Sequence, residues 1–166
     1  MPNAKDIQLM VDNINFFVVG ERGTGKSFFA ATFPTPAFLF DFDKQATVYR
    51  DLDVDYEQYD FSNLGWVKFE KDMAKILAEK KYKTIIIDSM TSFQSLAMER
   101  ALAINPARNE AGGAKFEVHY SLIRTLIEGN MRKILSYIGY KVVIAHFETD
   151  KDKEGGIIGN HPLLPG

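Results

Sequence analysis

The residues of this chain most able to do chemistry stand near its start. Gly20-Glu21-Arg22-Gly23-Thr24-Gly25-Lys26-Ser27 satisfies G-x-x-x-x-G-K-[ST] at every fixed position. Such a run binds phosphate when a buried strand precedes it and a helix follows. Its glycines let the backbone curl until successive N–H groups point inward at a β-phosphate, and the start of the next helix adds positive potential. Lys26 suits the β- and γ-phosphate oxygens, and the Ser27 hydroxyl suits Mg²⁺. Gly20, Glu21, Arg22, Gly23, Thr24, Gly25, Lys26, Ser27 and Phe28 are therefore the expected nucleotide-binding set, with a nucleoside triphosphate and Mg²⁺ as the ligands.

Hydrolysis of a nucleotide also needs a carboxylate for the Mg²⁺ water shell, at the C-terminal end of a buried strand. Asp88, after Thr84-Ile85-Ile86-Ile87, has that setting, although Asp88, Ser89 and Thr91 would serve equally as caps for a following helix. Ser89, not a glutamate, comes next, so a catalytic base must be found elsewhere. Asp41 and Asp43 leave the end of another buried run and are placed to polarise an attacking water, or else to cap a short helix beginning near Lys44. His146 ends a further strand, where it would hydrogen-bond a γ-phosphate and report its loss to the next loop, unless local backbone satisfies it. His119, His146 and His161 are too widely spaced for a short metal motif, and a metal held by protein alone is not expected.

Elements that would position these groups follow from the apolar pattern. Ile14–Val19, Ala37–Phe42, Thr84–Ser89 and Lys141–Phe147 are short, β-branched or aromatic, and without alternation, as buried parallel strands are; Tyr56–Phe61 is a weaker strand. Lys26–Phe33 reads as a short, largely buried helix ending before Pro34. Leu64, Val67, Met73, Ile76 and Leu77 mark a helix running to Lys80, and Phe93, Leu96, Ala97, Ala101 and Ile104 mark another. Asn105–Lys115 lacks a periodic face and reads as a loop. The clearest helix follows, with its stripe from Leu122 to Ile138 and its stop at Gly139. The remainder, from Glu148 on, is charged and Gly-rich, a loop or hairpin. Alternating β and α units predict an α/β fold, with a mainly parallel sheet between helices on both faces.

The chain's 166 residues are one domain's worth, and 46% apolar with 25% charged residues is the composition of a folded, soluble protein. Twenty Lys plus Arg against 22 Asp plus Glu leave a net charge of −2, which argues against a protein that coats duplex DNA along its whole surface. The absence of cysteine removes disulfides, thiol catalysis and thiolate metal sites. No apolar run reaches the roughly 18–20 residues of a membrane span, so a soluble, intracellular protein without membrane contact is expected.

GERGTGKS, PAFLFDFD, KTIIIDSMTS, KVVIAHFETDKD and HPLLPG, in that order, resemble the phage-type P-loop ATPases with a RecA-like core, including those of single-strand DNA annealing and recombination. The resemblance runs from about Ile14 to Gly166 and implies a three-layer α/β/α P-loop NTPase domain over residues 1–166. It implies an Mg²⁺-dependent ATPase in the cytoplasm of an infected or lysogenic bacterial host, acting as a homo-oligomer on single-stranded DNA. Lys26, Asp43, Asp88 and His146 would be the catalytic set, Ser27 and Asp88 the metal ligands, and Asp43 the base, one methylene shorter than the family's usual glutamate. His146 takes the phosphate-sensor position, and Phe147–Pro162 the DNA-contacting segment, with Lys151 and Lys153 touching phosphates although Asp150, Asp152 and Glu154 interleave with them. The family's sheet normally continues past HPLLPG, so the resemblance implies either a C-terminal truncation or a reduced member of the family. No polymerisation element is evident before the first strand.

Other readings predict other features. A small-molecule or nucleoside kinase needs an arginine-rich lid, and Asn105–Lys115 holds only Arg108; a GTPase needs [NT]KxD, whereas Thr149-Asp150-Lys151-Asp152 has the wrong order. A nucleotide-gated adaptor that hydrolyses poorly is compatible with Asp43.

Overall fold

The structure, a computed structural model, describes residues 13–151 and 157–162. Strands β1 (Asn15–Gly20), β2 (Ala37–Asp41), β3 (Val54–Gln58), β4 (Thr84–Asp88) and β5 (Tyr140–Lys151) lie parallel in the order β1-β5-β4-β2-β3. β6 (Ile157–Pro162) folds back antiparallel on the far end of β5, so the expected loop or hairpin is a hairpin. Helices α1 (Lys26–Ala30), α2 (Asn63–Glu79), α3 (Met90–Ile104) and α4 (Ser121–Leu135) fill the connections, with a 3-10 turn at Ala46–Tyr49 and a π-helical turn at Phe116–Tyr120 leading into α4.

β2 and β4 are buried on both faces, which is why they carry no polar alternation. Their odd and even residues enter different cores. Phe38, Phe40, Ile85 and Ile87 meet α2, α3 and α4, while Ala37, Leu39 and Ile86 meet α1 and the 3-10 turn. The three layers are thus uneven, with the long helices together on one face. Phe17, pointing to that face from the edge strand β1, lies beyond their cover and is 54% exposed.

The large core is aromatic. Trp66 stacks on Phe93 with ring centroids 5.4 Å apart and planes at 6°, and Phe42, Phe69 and Phe93 form mutual tilted contacts. α2 buries Trp66, Phe69, Met73 and Ile76, whereas Leu64, expected on its inner stripe, is 78% exposed and Val67 is exposed too. The buried stripe, Trp66, Phe69, Met73 and Ile76, has regular helical spacing and takes Trp66 and Phe69 in place of Leu64 and Val67; beside it Gly65 sits against the Asp60 carbonyl, where a Cβ would come within 1.9 Å. α1 is shorter than expected and leaves Phe28 and Phe29 exposed, β3 ends at Gln58 and not Phe61, and α4 stops at Leu135, short of Ile138.

Since Trp66 is fully buried, Trp66→Ala should lower the unfolding free energy by about 3–5 kcal/mol. Urea denaturation followed by circular dichroism measures this; a loss below about 1 kcal/mol would show that the aromatic cluster repacks freely.

Candidate functional site

Strand register decides which side chains meet. Gly20 lies opposite His146 across the β1–β5 pair, and Asp41 opposite Asp88 across β2–β4, so the loop after β1 and the ends of β2 and β4 meet His146 at one edge of the sheet; His146 does not end its strand as expected, because pairing with β6 carries β5 on to Lys151. Parity decides the face. Asp88 is in phase with Ile86, and His146 with Ile144, the residues that face α1, so both side chains belong to the side on which the phosphate loop enters its helix.

The loop itself is built as its motif requires. Gly23 and Gly25 adopt φ of 79° and 84°, in the left-handed region that residues with a Cβ avoid. Thr24 Oγ1 donates to the Glu21 carbonyl at 2.8 Å and fixes the curl. Lys26 folds back along the loop, and its Nζ donates to the carbonyls of Gly20 at 2.9 Å and Glu21 at 2.6 Å. Burial holds its ammonium below the usual lysine range, with Asp88 and Asp43 opposing that shift and Arg22 adding to it. Because α1 has only five residues, its dipole is a minor contributor, and anion attraction rests on the loop N–H groups and Lys26.

Across the loop, Ser27 Oγ donates to Asp88 Oδ2 at 2.6 Å. The helix cap that Asp88 could have been is supplied by Ser89, whose Oγ accepts from Ser92 N, and this leaves the Asp88 carboxylate to the loop. Burial pushes the Asp88 carboxyl up to about 6; the Ser27 hydrogen bond opposes this, Asp43 and Asp41 add to it, and His146 opposes it. The Asp88 carbonyl accepts from the N–H groups of Phe42 and Asp43 at 2.7 and 3.1 Å, tying the end of β2 to that of β4.

The two acids after β2 have separate surroundings. Asp41 is fully buried and accepts from Gln45 N, Ala46 N and Gln58 Nε2 at 2.8, 3.0 and 2.7 Å, so it caps the 3-10 turn and has no room for a water-activating role. Asp43 instead reaches His146, whose Nε2 lies 3.0 Å from Asp43 Oδ2. The His146 N–H donates to Thr91 Oγ1 at 3.1 Å, while its Nδ1 is buried without a partner. Sequence reasoning placed Asp43 and His146 separately at the crevice; the structure makes them a pair.

A cleft of about 470 Å³ runs between these groups, within the size range of small-ligand sites. Its lining includes Arg22, Phe28, Phe61, Ser92 and His146. Lys151 ends β5, but its side chain lies outside the described residues, as does the whole of Lys153. Thr91, expected only as a possible helix cap, accepts from His146, while Gln58 and Tyr49 gave no signal in the sequence, since neither belongs to a motif and each becomes relevant only through register and a turn.

Oxygen donors alone face one another at Ser27 and Asp88, which suits Mg²⁺, a hard cation that takes one or two protein oxygens and completes its shell from phosphates and water. Among the described residues there is no cluster of three His, Cys, Asp or Glu side chains able to hold a metal without that help, and no helix long and apolar enough to cross a membrane.

No curated protein sequence matches the chain. Its fold is similar to that of a KaiC-like protein from the hyperthermophilic archaeon Pyrococcus horikoshii OT3, with a TM-score of 0.51 at 15% identity. That likeness covers 81% of this chain and 62% of the archaeal one, so the chain spans less than two thirds of that protein, and what they share is the RecA-like α/β fold. A family model described as an AAA domain matches residues 12–160, nearly the whole length, and with the phosphate loop intact the chain belongs to this family of nucleotide-binding ATPase domains.

Proposed function

We propose that the chain binds ATP with Mg²⁺ in the cleft and hydrolyses it, and that it uses this cycle as a homo-oligomer in DNA recombination or single-strand annealing. The observation that carries the ATPase reading is the facing of two pairs across one cleft: Ser27 with Asp88, and Asp43 with His146. The DNA role rests on the sequence resemblance to phage-type ATPases.

In this reading the loop N–H groups and Lys26 bind the phosphates, and Lys26 exchanges its two loop carbonyls for phosphate oxygens. Ser27 and Asp88 would hold Mg²⁺, which when bound neutralises charge on the β- and γ-phosphates. Asp43 orients a water toward the γ-phosphorus and takes its proton as the P–O bond to ADP breaks, giving ADP and inorganic phosphate. His146 holds the Asp43 carboxylate in one orientation and, beside the γ-phosphate, registers its departure. The same His146 bond engages one carboxylate oxygen of an already short base, which favours slow turnover and keeps the nucleotide-gated adaptor as a second reading.

The test is the ATPase rate without DNA, with single strands and with duplex, for the wild type, Lys26→Ala and Asp43→Asn. We expect stimulation by single strands alone, loss of ATP binding in Lys26→Ala, and retained binding with at least a hundredfold slower turnover in Asp43→Asn. Unchanged turnover in Asp43→Asn would remove it as the base. Phosphate transfer to an added nucleoside would replace the DNA reading with a kinase.

Asp88 gives a pH-dependent expectation. Its folded value of about 6 lies above that of an unfolded aspartate, near 3.9, so its contribution to stability is present below pH 4 and is lost as pH rises through 6. Asp88→Asn should therefore stabilise the nucleotide-free protein relative to the wild type by up to about 3 kcal/mol, a difference that grows between pH 4 and 7 and then levels off. Urea unfolding across this range measures it, and a pH-independent difference would acquit the carboxylate.

A further inference from the structure

The steps above occupy the phosphate end of the cleft and leave part of its wall without a role. That part is made by the 3-10 turn at Ala46–Tyr49, with Gln45 at its start, and by Phe28, the residue after Ser27. The turn is held firmly. The Asp41 carboxylate accepts from Gln45 N and Ala46 N, Val48 N donates to the Gln45 carbonyl at 3.0 Å, and Tyr49 is sunk beside Ala30 and Leu39. Along a 3-10 turn, side chains three residues apart eclipse one another. Gln45 and Val48 therefore share a face, and both line the cleft.

Phe28 belongs to the same wall. Helical side chains lean toward the helix start, so its ring leans toward the loop, apart from the cluster that Phe29 makes with Phe16 and Phe33. It is 68% exposed. One exposed ring means little by itself; its place in the cleft, one residue past the cation ligand, is what matters. With the γ-phosphate toward Asp43 and His146 and the β-phosphate on the loop, the nucleoside leaves the phosphates along the start of α1, toward Phe28 and the turn packed on that helix. The Gln45 side-chain amide has no hydrogen-bond partner among the described residues. An amide sets a donor beside an acceptor, which matches the N7 and 6-amino group of adenine, whereas guanine presents two acceptors there and calls for a cation. The adjacent cation, Lys44 Nζ, lies 3.7 Å from Asp60 Oδ1.

We propose that this wall is the base site: the ring of Phe28 stacks on the base, Val48 backs it, and the Gln45 amide reads the adenine edge, which makes Gln45 the residue that selects ATP over GTP. The inference rests on the reading that the cleft binds a nucleoside triphosphate by its phosphates. It gives the Asp41 carboxylate a task as well, since the turn it caps is the platform on which Gln45 and Val48 stand.

Phe28 and Gln45 are both exposed, so Phe28→Leu and Gln45→Leu leave the core intact. Binding of ATP, GTP and tripolyphosphate with Mg²⁺ is measured by calorimetry for the wild type, these two variants and Phe61→Leu, which alters a second exposed ring of the cleft. The wild type should prefer ATP to GTP by about tenfold, the usual size for one amide–base pair. Phe28→Leu should weaken ATP by about tenfold through lost stacking and leave tripolyphosphate as it was. Gln45→Leu should abolish the preference for ATP over GTP. Equal wild-type affinity for ATP and GTP overturns the proposal, as does a preference that survives Gln45→Leu. So does an equal loss of ATP and tripolyphosphate in Phe28→Leu, which would make that ring part of the loop's own fold, or the loss expected of Phe28→Leu appearing in Phe61→Leu instead. Tripolyphosphate separates the two levels. If the wild type binds neither it nor ATP, the nucleotide reading itself fails; if it binds both equally well, the phosphate site stands and only the base site fails.

Discussion

The Asp88 carboxylate, 2% exposed at the end of a strand buried throughout, is the group on which the geometry of this site turns. An isolated charge so placed costs several kcal/mol, and one hydroxyl from Ser27 does not offset that, as its raised proton affinity records. Lys26 is drawn toward the same carboxylate but remains on its own loop carbonyls. Nucleotide-free, the site therefore holds cation and anion near each other without joining them. In the proposed reading a phosphate with its counter-ion would satisfy both, and the β2–β4 carbonyl tie sets the loop and the strand end in register for it.

Phe42 links this polar edge to the apolar interior. It stands between Asp41 and Asp43 and packs on Tyr59, Phe69 and Phe93, so the core fixes the direction in which both acids leave the strand. Site and core are one rigid unit here, and the large aromatic cluster on the far face of the sheet orients a carboxylate on the near one.

Much of this could be read from residue order. The phosphate loop, the buried strands and Asp88 at a strand end follow from local patterns, because burial on both faces of a parallel sheet erases alternation and glycines mark the curl. What could not be read depended on distant partners. Asp41 and Asp43 look alike in sequence; a turn that brings Gln45 and Ala46 onto the first, and the β2–β3 register that brings Gln58, leave the second for His146. On α2 two apolar strips compete in the sequence, and packing against Phe93 and its neighbours selects the one carrying Trp66 and Phe69 over Leu64 and Val67. Tyr49 carried no signal, since a single buried aromatic in a non-periodic turn resembles any other.

β5 continues from its central pairing past His146 to Lys151, paired there with β6 and with a register shift between Asp150 and Lys151. At about 3.3 Å per residue, the five residues beyond His146 project roughly 16 Å from the sheet edge. A paired ribbon of that length would act as a lever were its base at the histidine to tilt. A tilt of 10° at His146 would move its tip by about 3 Å over that span, so whatever rests on the ribbon is displaced far more than the side chain at its base.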